Sequence, residues 1–324
     1  MTSFLKVPET NSASQANISE QLTVPSFVHW LAVGVTVTAG IILRVIFFQG
    51  YSDSDPSVYT FLADQLAHGK LYIGEYDPVL FAVRIAIYVP AGFIFKIFGL
   101  SELTIAAVPF LFNVGSFFLA YIVARRLFNP LAGLISIAIL AVIPFDITMA
   151  TTLWPDAIAA GWANLGVALL IFDCSSKERR SPAILPVLAG FCFGVSWLGK
   201  EMVVYLVPFV AIFYFLRAGQ RPLLYASSRL FLVGLGVLFV LVAEGALYHV
   251  YKDDWLFHFH AVDRTYAETP VWYFDQSSAY FGWNEGGYTK ALLKRLLITG
   301  PMGLLSAFSN LPFFALVAVA HVIG

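Results

Sequence analysis

Long apolar runs alternate with short polar turns along most of the chain. The first run is Phe27–Phe48, interrupted near its end by Arg44. Further runs lie near 80–98, 101–124, 131–149, 157–172, 183–199, 202–216 and 227–250, and a last one extends from about 297 to the end. A helix needs about 20 apolar residues to cross a hydrocarbon core, and several runs meet that. The pattern predicts an all-α polytopic membrane protein, a transmembrane helix bundle. Residues 1–25 are rich in Ser, Thr, Asn and Gln and read as a disordered cytoplasmic tail. They carry no cationic stretch followed by a short apolar core and a cleavage site, so no removable signal peptide is expected. The expected organisation is this tail, a transmembrane module over 26–250 whose first outer loop covers 49–99, an outer loop over 251–296, and an apolar segment over 297–324.

Composition narrows the class. The chain is 59% hydrophobic and 12% charged, against about 25% charged in a soluble domain. A disordered chain, a basic nucleic-acid binder and a disulfide scaffold are excluded, the last because there are only 2 cysteines. The basic residues give orientation. Arg125, Arg126, Lys177, Arg179, Arg180, Arg217, Arg221 and Arg229 fall in alternate turns, and the opposite turns hold only Lys200. The first set is therefore expected on the cytoplasmic side. With a cytoplasmic N-terminus, 80–98 then cannot cross. Its Arg84, Pro90, Gly92 and Lys96 suit an interfacial or re-entrant helix. The rival arrangement lets 80–98 cross and puts the N-terminus outside. Lys290, Lys294 and Arg295 conflict with an outer 251–296 loop.

Charged residues at helix ends are the chemical candidates. Asp53 and Asp55 follow the first run. Asp55 before Pro56 suits an N-cap for a helix over Ser57–His68, whose Val58, Phe61, Leu62 and Leu66 would face lipid. Cap and catalytic carboxylate compete as readings of Asp55. Asp156 follows Pro155 at another helix start, and Gly199, Lys200 and Glu201 form the next turn on that side. Arg44 and Arg84 either snorkel or join them. Together these residues gather at one membrane face, where a buried charge is costly and a functional candidate. Cations there can bind a lipid phosphate, and a carboxylate can act as base. Glu244, inside an apolar run, reads as a paired buried acid, and Asp146 is a lesser candidate. His258 and His260 would share one side of a strand amid Trp255, Phe257 and Phe259, an interfacial segment with no metal expected. No Gly-rich phosphate loop or Rossmann fingerprint is present, so neither a cofactor nor a nucleotide-sugar donor is expected.

The order of short motifs resembles a known family. An outer Asp55-x-x-x-Tyr59 leads to Ala67 and Gly69, followed by Arg84, Pro90, Phe98 and Gly99. Then come Ala124–Phe128, Pro155–Asp156 and Gly199–Glu201. Over about 27–260 the chain resembles glycosyltransferase family 39 of the GT-C superfamily, which includes protein O-mannosyltransferases and bacterial aminoarabinose transferases. The resemblance implies a GT-C-like helix bundle with outer-face juxtamembrane helices. It also implies an inverting enzyme that moves a sugar from a polyprenyl-phosphate donor to a lipid, glycan or protein acceptor. In that reading Asp55 is the catalytic carboxylate, a general base, Asp53 its neighbour and Asp156 the second acidic position. Arg84 and Lys200, with Arg44, Glu201 and Tyr59, hold substrate or phosphate, and no residue is assigned to a metal. The setting is a plasma membrane in a bacterium or the endoplasmic reticulum in a eukaryote. Two features depart from the family. Pro56 stands where many relatives carry a second acid, and the chain stops in the apolar run Phe313–Gly324, as a fragment or reduced member would. Two other classes compete: a lipid-linked sugar transporter or flippase, which would spread charge through the membrane and show repeats, and an inactive fragment or assembly subunit.

Overall fold

Prolines open several helices, at positions where a missing N–H is no loss. The computed structural model describes residues 25–52, 54–72, 79–175, 183–218 and 223–268. The helices are α1 (Ser26–Ile46), α2 (Asp55–Ala67), α3 (Val79–Val83), α4 (Ile85–Phe98), α5 (Glu102–Leu127) and α6 (Pro130–Val142), followed by α7 (Pro144–Met149), α8 (Pro155–Ser175) and α9 (Ile184–Trp197). A 3₁₀ turn over Glu201–Tyr205 leads into α10 (Leu206–Ala218), then α11 (Leu223–Lys252) and α12 (Phe257–Glu268). All regular elements among the described residues are helices, so the all-α expectation holds. Helices α1, α5, α8 and α11 are long and apolar enough to cross a membrane. The chain divides into two compact units, residues 1–261 and 262–324. Of the second, only the end of α12 is described. Asp53, Lys177, Arg179, Arg180, Arg221, nearly all of the tail, the loop beyond Glu268 and the segment 297–324 lie outside the described residues.

Within the first unit, α9 packs between α8 and α11, α5 lies against α6 and α8, α1 lies on α6, and α2 lies on α4. One core joins Tyr59 and Leu62 of α2 to Ile87, Tyr88 and Phe95 of α4 and to Leu153 and Ile158 at the start of α8. A second joins Leu170, Phe193, Tyr214 and Val233. Outward faces keep large apolar side chains such as Leu216, Leu224 and Phe231 exposed, as a surface meeting lipid requires. The α9–α11 crossing is tight. A Cβ at Gly190 would lie 1.9 Å from the Val233 carbonyl oxygen, and one at Gly236 would lie 2.1 Å from that of Val187. Small residues permit such backbone approach between membrane helices.

The structure departs from the sequence pattern at four places. The run 131–149 is two helices, because Pro144 forces Ile143 into extended backbone (φ −67°, ψ 116°). The run 80–98 is broken at Arg84 (φ −83°, ψ 56°). Helix α2 does not lay Leu62 on lipid: Leu62, Tyr59 and Ala63 are buried against α4. His258 and His260 sit on a helix, where a spacing of two points side chains apart. His258 is accordingly buried, whereas His260 is exposed and bonded to Asp254 at 2.8 Å.

Candidate active site

Arg84 leaves the α-helical pattern, its amide donating to Phe81 O at 3.3 Å and its carbonyl accepting from Ile87 N at 3.0 Å, and neighbours fix the break it occupies. The Tyr248 hydroxyl of α11 donates to the Val83 carbonyl at 3.1 Å, and the Ala86 amide donates to the Leu198 carbonyl at 3.2 Å. The second contact brings the α9 C-terminus to the start of α4. There the chain turns through Gly199, whose amide donates to Ser196 O at 3.0 Å, and Lys200 N donates to the same oxygen at 2.9 Å. The Ser196 hydroxyl donates to Ala159 O at 2.8 Å, which ties this turn to the first turns of α8. Four chain segments thus deliver Asp55, Arg84, Asp156, Lys200 and Glu201 to one end of the bundle.

The guanidinium of Arg84 is buried and engaged. Nε donates to Glu201 Oε1 at 3.3 Å, Nη2 to Oε2 at 2.9 Å, and Nη1 to the Tyr59 hydroxyl at 3.1 Å. A bidentate Arg–carboxylate pair is a strong, geometrically defined contact. Burial opposes the Arg84 charge, but Tyr59 and Glu201 outweigh it and raise its pKa. Burial would also raise the Glu201 carboxyl, yet His258 and Arg84 overcome this and hold it at about 2. Burial pushes the Tyr59 hydroxyl up to about 12, with Arg84 opposing and the Asp55 and Glu201 charges adding. Tyr59 is therefore a neutral donor or acceptor at any working pH.

Asp55 stands one helical turn before Tyr59 and is half-buried. It is not the cap: Ser54 takes that position, with no side-chain capping bond and a left-handed backbone (φ 73°). The contact made by the Asp55 carboxylate is a 3.4 Å bond from the Ser54 hydroxyl. The carboxylate is thus left available, beside a residue in a conformation that costs energy outside glycine. Lys200 Nζ meets Asp156 Oδ1 at 2.6 Å, with side chains 29% and 40% exposed. An ion pair this open is weakly held and can be exchanged for a ligand.

Two expected members differ from the sequence reading. Arg44 does not join this group. Its guanidinium is fully buried between α1, α5 and α6, where it donates to Asn113 Oδ1, Gly40 O, Leu140 O and Ala141 O and lies over the Phe117 ring. It fastens helices and has no open donor face for a phosphate. Arg84 joins the group but with its fork filled by Glu201, where the resemblance implies a phosphate. Asp53 lies outside the described residues.

Sequence reasoning did not assign His258 to the site. His258 Nδ1 meets Glu244 Oε1 at 2.5 Å, and its Nε2 lies 3.5 Å from Glu201 Oε1. The signal was Glu244 itself: an acid buried in an apolar helix needs a partner, and His258 is the basic group that the turn after α11 returns to it. Among the described residues no group of three or more His, Cys, Asp or Glu side chains is arranged to hold a metal.

Comparison with known proteins finds one family model and a similar fold. Residues 86–246 match the family model for dolichyl-phosphate-mannose-protein mannosyltransferase, a region that contains Asp156, Lys200, Glu201 and Glu244. No curated protein matches the chain. The crystal structure of the Archaeoglobus fulgidus oligosaccharyltransferase in its apo form is similar in fold, with a TM-score of 0.55 and 15% sequence identity. The alignment covers 85% of this chain and 37% of that one, so this chain spans little more than a third of that protein. Among the described residues the chain is all-α, with four helices long and apolar enough to cross a membrane and a fold similar to that of the archaeal oligosaccharyltransferase, and its residues 86–246 match the dolichyl-phosphate-mannose-protein mannosyltransferase family model.

Proposed function

We propose that the chain is an inverting glycosyltransferase that moves a sugar from a polyprenyl-phosphate donor to an acceptor hydroxyl at the outer or lumenal membrane face. The observation that carries this reading is the grouping at one end of the bundle. An uncapped Asp55 carboxylate lies beside the Tyr59–Arg84–Glu201 cluster, and a half-open Lys200–Asp156 pair adjoins it through the Lys200–Glu201 peptide. Asp55 takes the proton of the acceptor hydroxyl. The acceptor oxygen attacks the anomeric carbon as the bond from that carbon to the lipid phosphate breaks, and the phosphate leaves with the electron pair. Lys200, freed from Asp156, meets the charge that develops on the phosphate. Asp156 then turns to sugar or acceptor hydroxyls. Arg84 holds Glu201 and Tyr59 in place and has N–H donors left to reach a phosphate oxygen.

An apolar cavity supports the lipid part of the reading. About 690 Å³ of space lies among α9, the 3₁₀ turn, α10 and α11, lined by Trp197, Val203, Leu206, Val233 and Leu241. Val203 and Val204 place its wall in the turn that begins with Glu201. A flexible isoprenoid chain matches such a surface, with its phosphate toward Lys200.

Donor binding is the test. The chain reconstituted in lipid nanodiscs should bind polyprenyl-phosphate mannose and bind the polyprenol without phosphate far more weakly. Lys200→Ala should weaken phosphate-donor binding about tenfold, equivalent to about 1.4 kcal/mol. Equal affinity for donor and bare polyprenol, or no change in Lys200→Ala, contradicts the assignment.

A further inference from the structure

Beyond the residues given a chemical role stands a second layer of buried charge. Glu244 lies in α11 and His258 opens α12, and both are buried, His258 at 2% exposure. Glu244 grips His258 Nδ1 at 2.5 Å. The other ring nitrogen, Nε2, is buried without a hydrogen-bond partner and lies 3.5 Å from Glu201 Oε1, within ion-pair range. Trp197 of α9 covers the imidazole, with ring centroids 5.3 Å apart. Glu201 in turn holds Arg84, and Arg84 holds Tyr59, one turn after Asp55.

We propose that His258 is a positioning residue: clamped by Glu244 and charged as imidazolium, it fixes Glu201 and, through it, the Arg84 guanidinium and the Tyr59 hydroxyl beside Asp55. The proposal rests on the site described in the preceding subsection. Charge balance carries it. The linked groups contain two carboxylates, the buried Glu244 and the partly buried Glu201, and one permanent cation, the buried Arg84. They are neutral together only when His258 is protonated, and an unbalanced buried charge is strongly unfavourable. Geometry agrees. With Nδ1 bound to Glu244, the proton on Nε2 has one acceptor in reach among the described residues, Glu201 Oε1. A 3.5 Å approach is the loose form of a bond that tightens when a ligand orders the site.

Among the described residues, the groups facing His258 come from every element packed on it. They are Glu244 from α11, with Tyr248 one turn on, Glu201 from the 3₁₀ turn, Arg84 behind Glu201, and the uncharged Trp197 from α9. On its own helix, His260 is exposed and bonded to Asp254. His249 faces Asp253 at the exposed end of α11. Neither pair belongs to the linked groups. In agreement with this, burial lowers the His258 pKa but the two glutamates outweigh it and raise the value to about 9.

The test uses the full chain in lipid nanodiscs with isotope-labelled histidine and arginine side chains. The His258 signal is assigned by its loss in His258→Gln, and the Arg84 Nε–H signal by its loss in Arg84→Lys. His258 should stay protonated through pH 7 and titrate near pH 9. The Arg84 Nε–H signal should move with the same midpoint. In Glu244→Gln, which keeps the shape and removes one charge, both midpoints should fall together by about one pH unit or more. With polyprenyl-phosphate mannose as probe, Glu244→Gln should lower kcat at pH 8 by about twofold for a one-unit fall of the midpoint and about tenfold for a two-unit fall, with little change in KM, because misplacement near the reacting atoms acts on turnover. A neutral His258 at pH 7, an Arg84 signal indifferent to its titration, or an unchanged kcat in Glu244→Gln overturns the proposal. A wild-type chain inert toward this probe counts against the proposed transfer instead, and the two titrations still decide the role of His258.

Discussion

Arg44 is the largest fully buried charged side chain among the described residues. Its donors reach Asn113 and the carbonyls of Gly40 (2.9 Å), Leu140 (3.1 Å) and Ala141 (3.2 Å). Without Arg44, the Asn113 side-chain oxygen would lose this donor and Leu140 O, four residues before Pro144 with its missing N–H, would lose its partner in an apolar setting. Arg44→Leu should therefore destabilise the chain by about 3 kcal/mol, the scale of a lost hydrogen bond to a charged group plus its orphaned partners. Thermal unfolding in detergent checks this, and the donor KM should stay within about twofold of wild type, given the different place of Arg44 in the bundle. Sequence alone could not separate this arginine from Arg84. Both sit near the ends of apolar runs, and only their partners differ: an amide and backbone carbonyls in one case, a carboxylate and a phenol in the other. Asp55 was ambiguous for a similar reason. A carboxylate before Pro56 suits a cap, and it is the left-handed backbone of Ser54 that moves the cap back by one residue.

Among the elements, α9 and α11 meet through glycine. Gly190→Val should push the Val233 carbonyl away and separate the two helices, costing about 3 kcal/mol, the upper end for overpacking a well-filled contact. Gly34→Ala in α1 is the natural contrast, because no atom lies within 4 Å of its added Cβ. Melting curves of the two variants should differ by several degrees, and equal curves would contradict this crossing. The turn of Glu201 and the start of α12 carry a pH signature of their own. Glu201 is held at about 2, below its ordinary 4.5, so its contribution is present above pH 4.5 and lost as pH falls through about 2. His258 is raised from 6.5 to about 9, so its contribution is full below pH 6.5 and lost as pH rises through about 9. Stability should be greatest between those limits, and Glu244→Gln should move the alkaline edge to lower pH in a melting series. Element boundaries were legible where proline dictates them, as at Pro155. The break at Arg84 was not, since no Gly or Pro marks it and contacts from Leu198 and Tyr248 impose it. The register of α12 was missed because the His-x-His spacing was read as a strand.

Across the whole molecule, ionic groups occupy both ends of α8. Asp156 pairs with Lys200 at one end. At the other, Asp173 takes Arg229 at 3.3 Å and the Tyr214 hydroxyl at 3.1 Å. These two acids are separated by about 26 Å of helix, at 1.5 Å per residue, close to the thickness of a hydrocarbon core. Arg125 and Arg126 end α5, which by the charge rule crosses in the same direction as α8. The proposed orientation puts Asp55 outside and Phe128, just past those arginines, inside. In a background lacking Cys174 and Cys192, a cysteine at Ser57 should react with an impermeant maleimide in intact cells, and one at Phe128 should react only after lysis. The reverse pattern would invert the topology.

The central claim is that Asp55 is the base of a sugar transfer from a polyprenyl phosphate. The most direct measurement is the rate at which the reconstituted chain converts radiolabelled polyprenyl-phosphate mannose, in wild type and in Asp55→Asn. The amide keeps the size of the side chain, and Asp55 makes no capping bond that it could lose. The account predicts an Asp55→Asn protein with wild-type melting behaviour and donor binding but turnover lower by about 10²–10⁴, the span for removal of a general base. Turnover within a few-fold of wild type would contradict it and shift the role of base to Asp156 or Asp53.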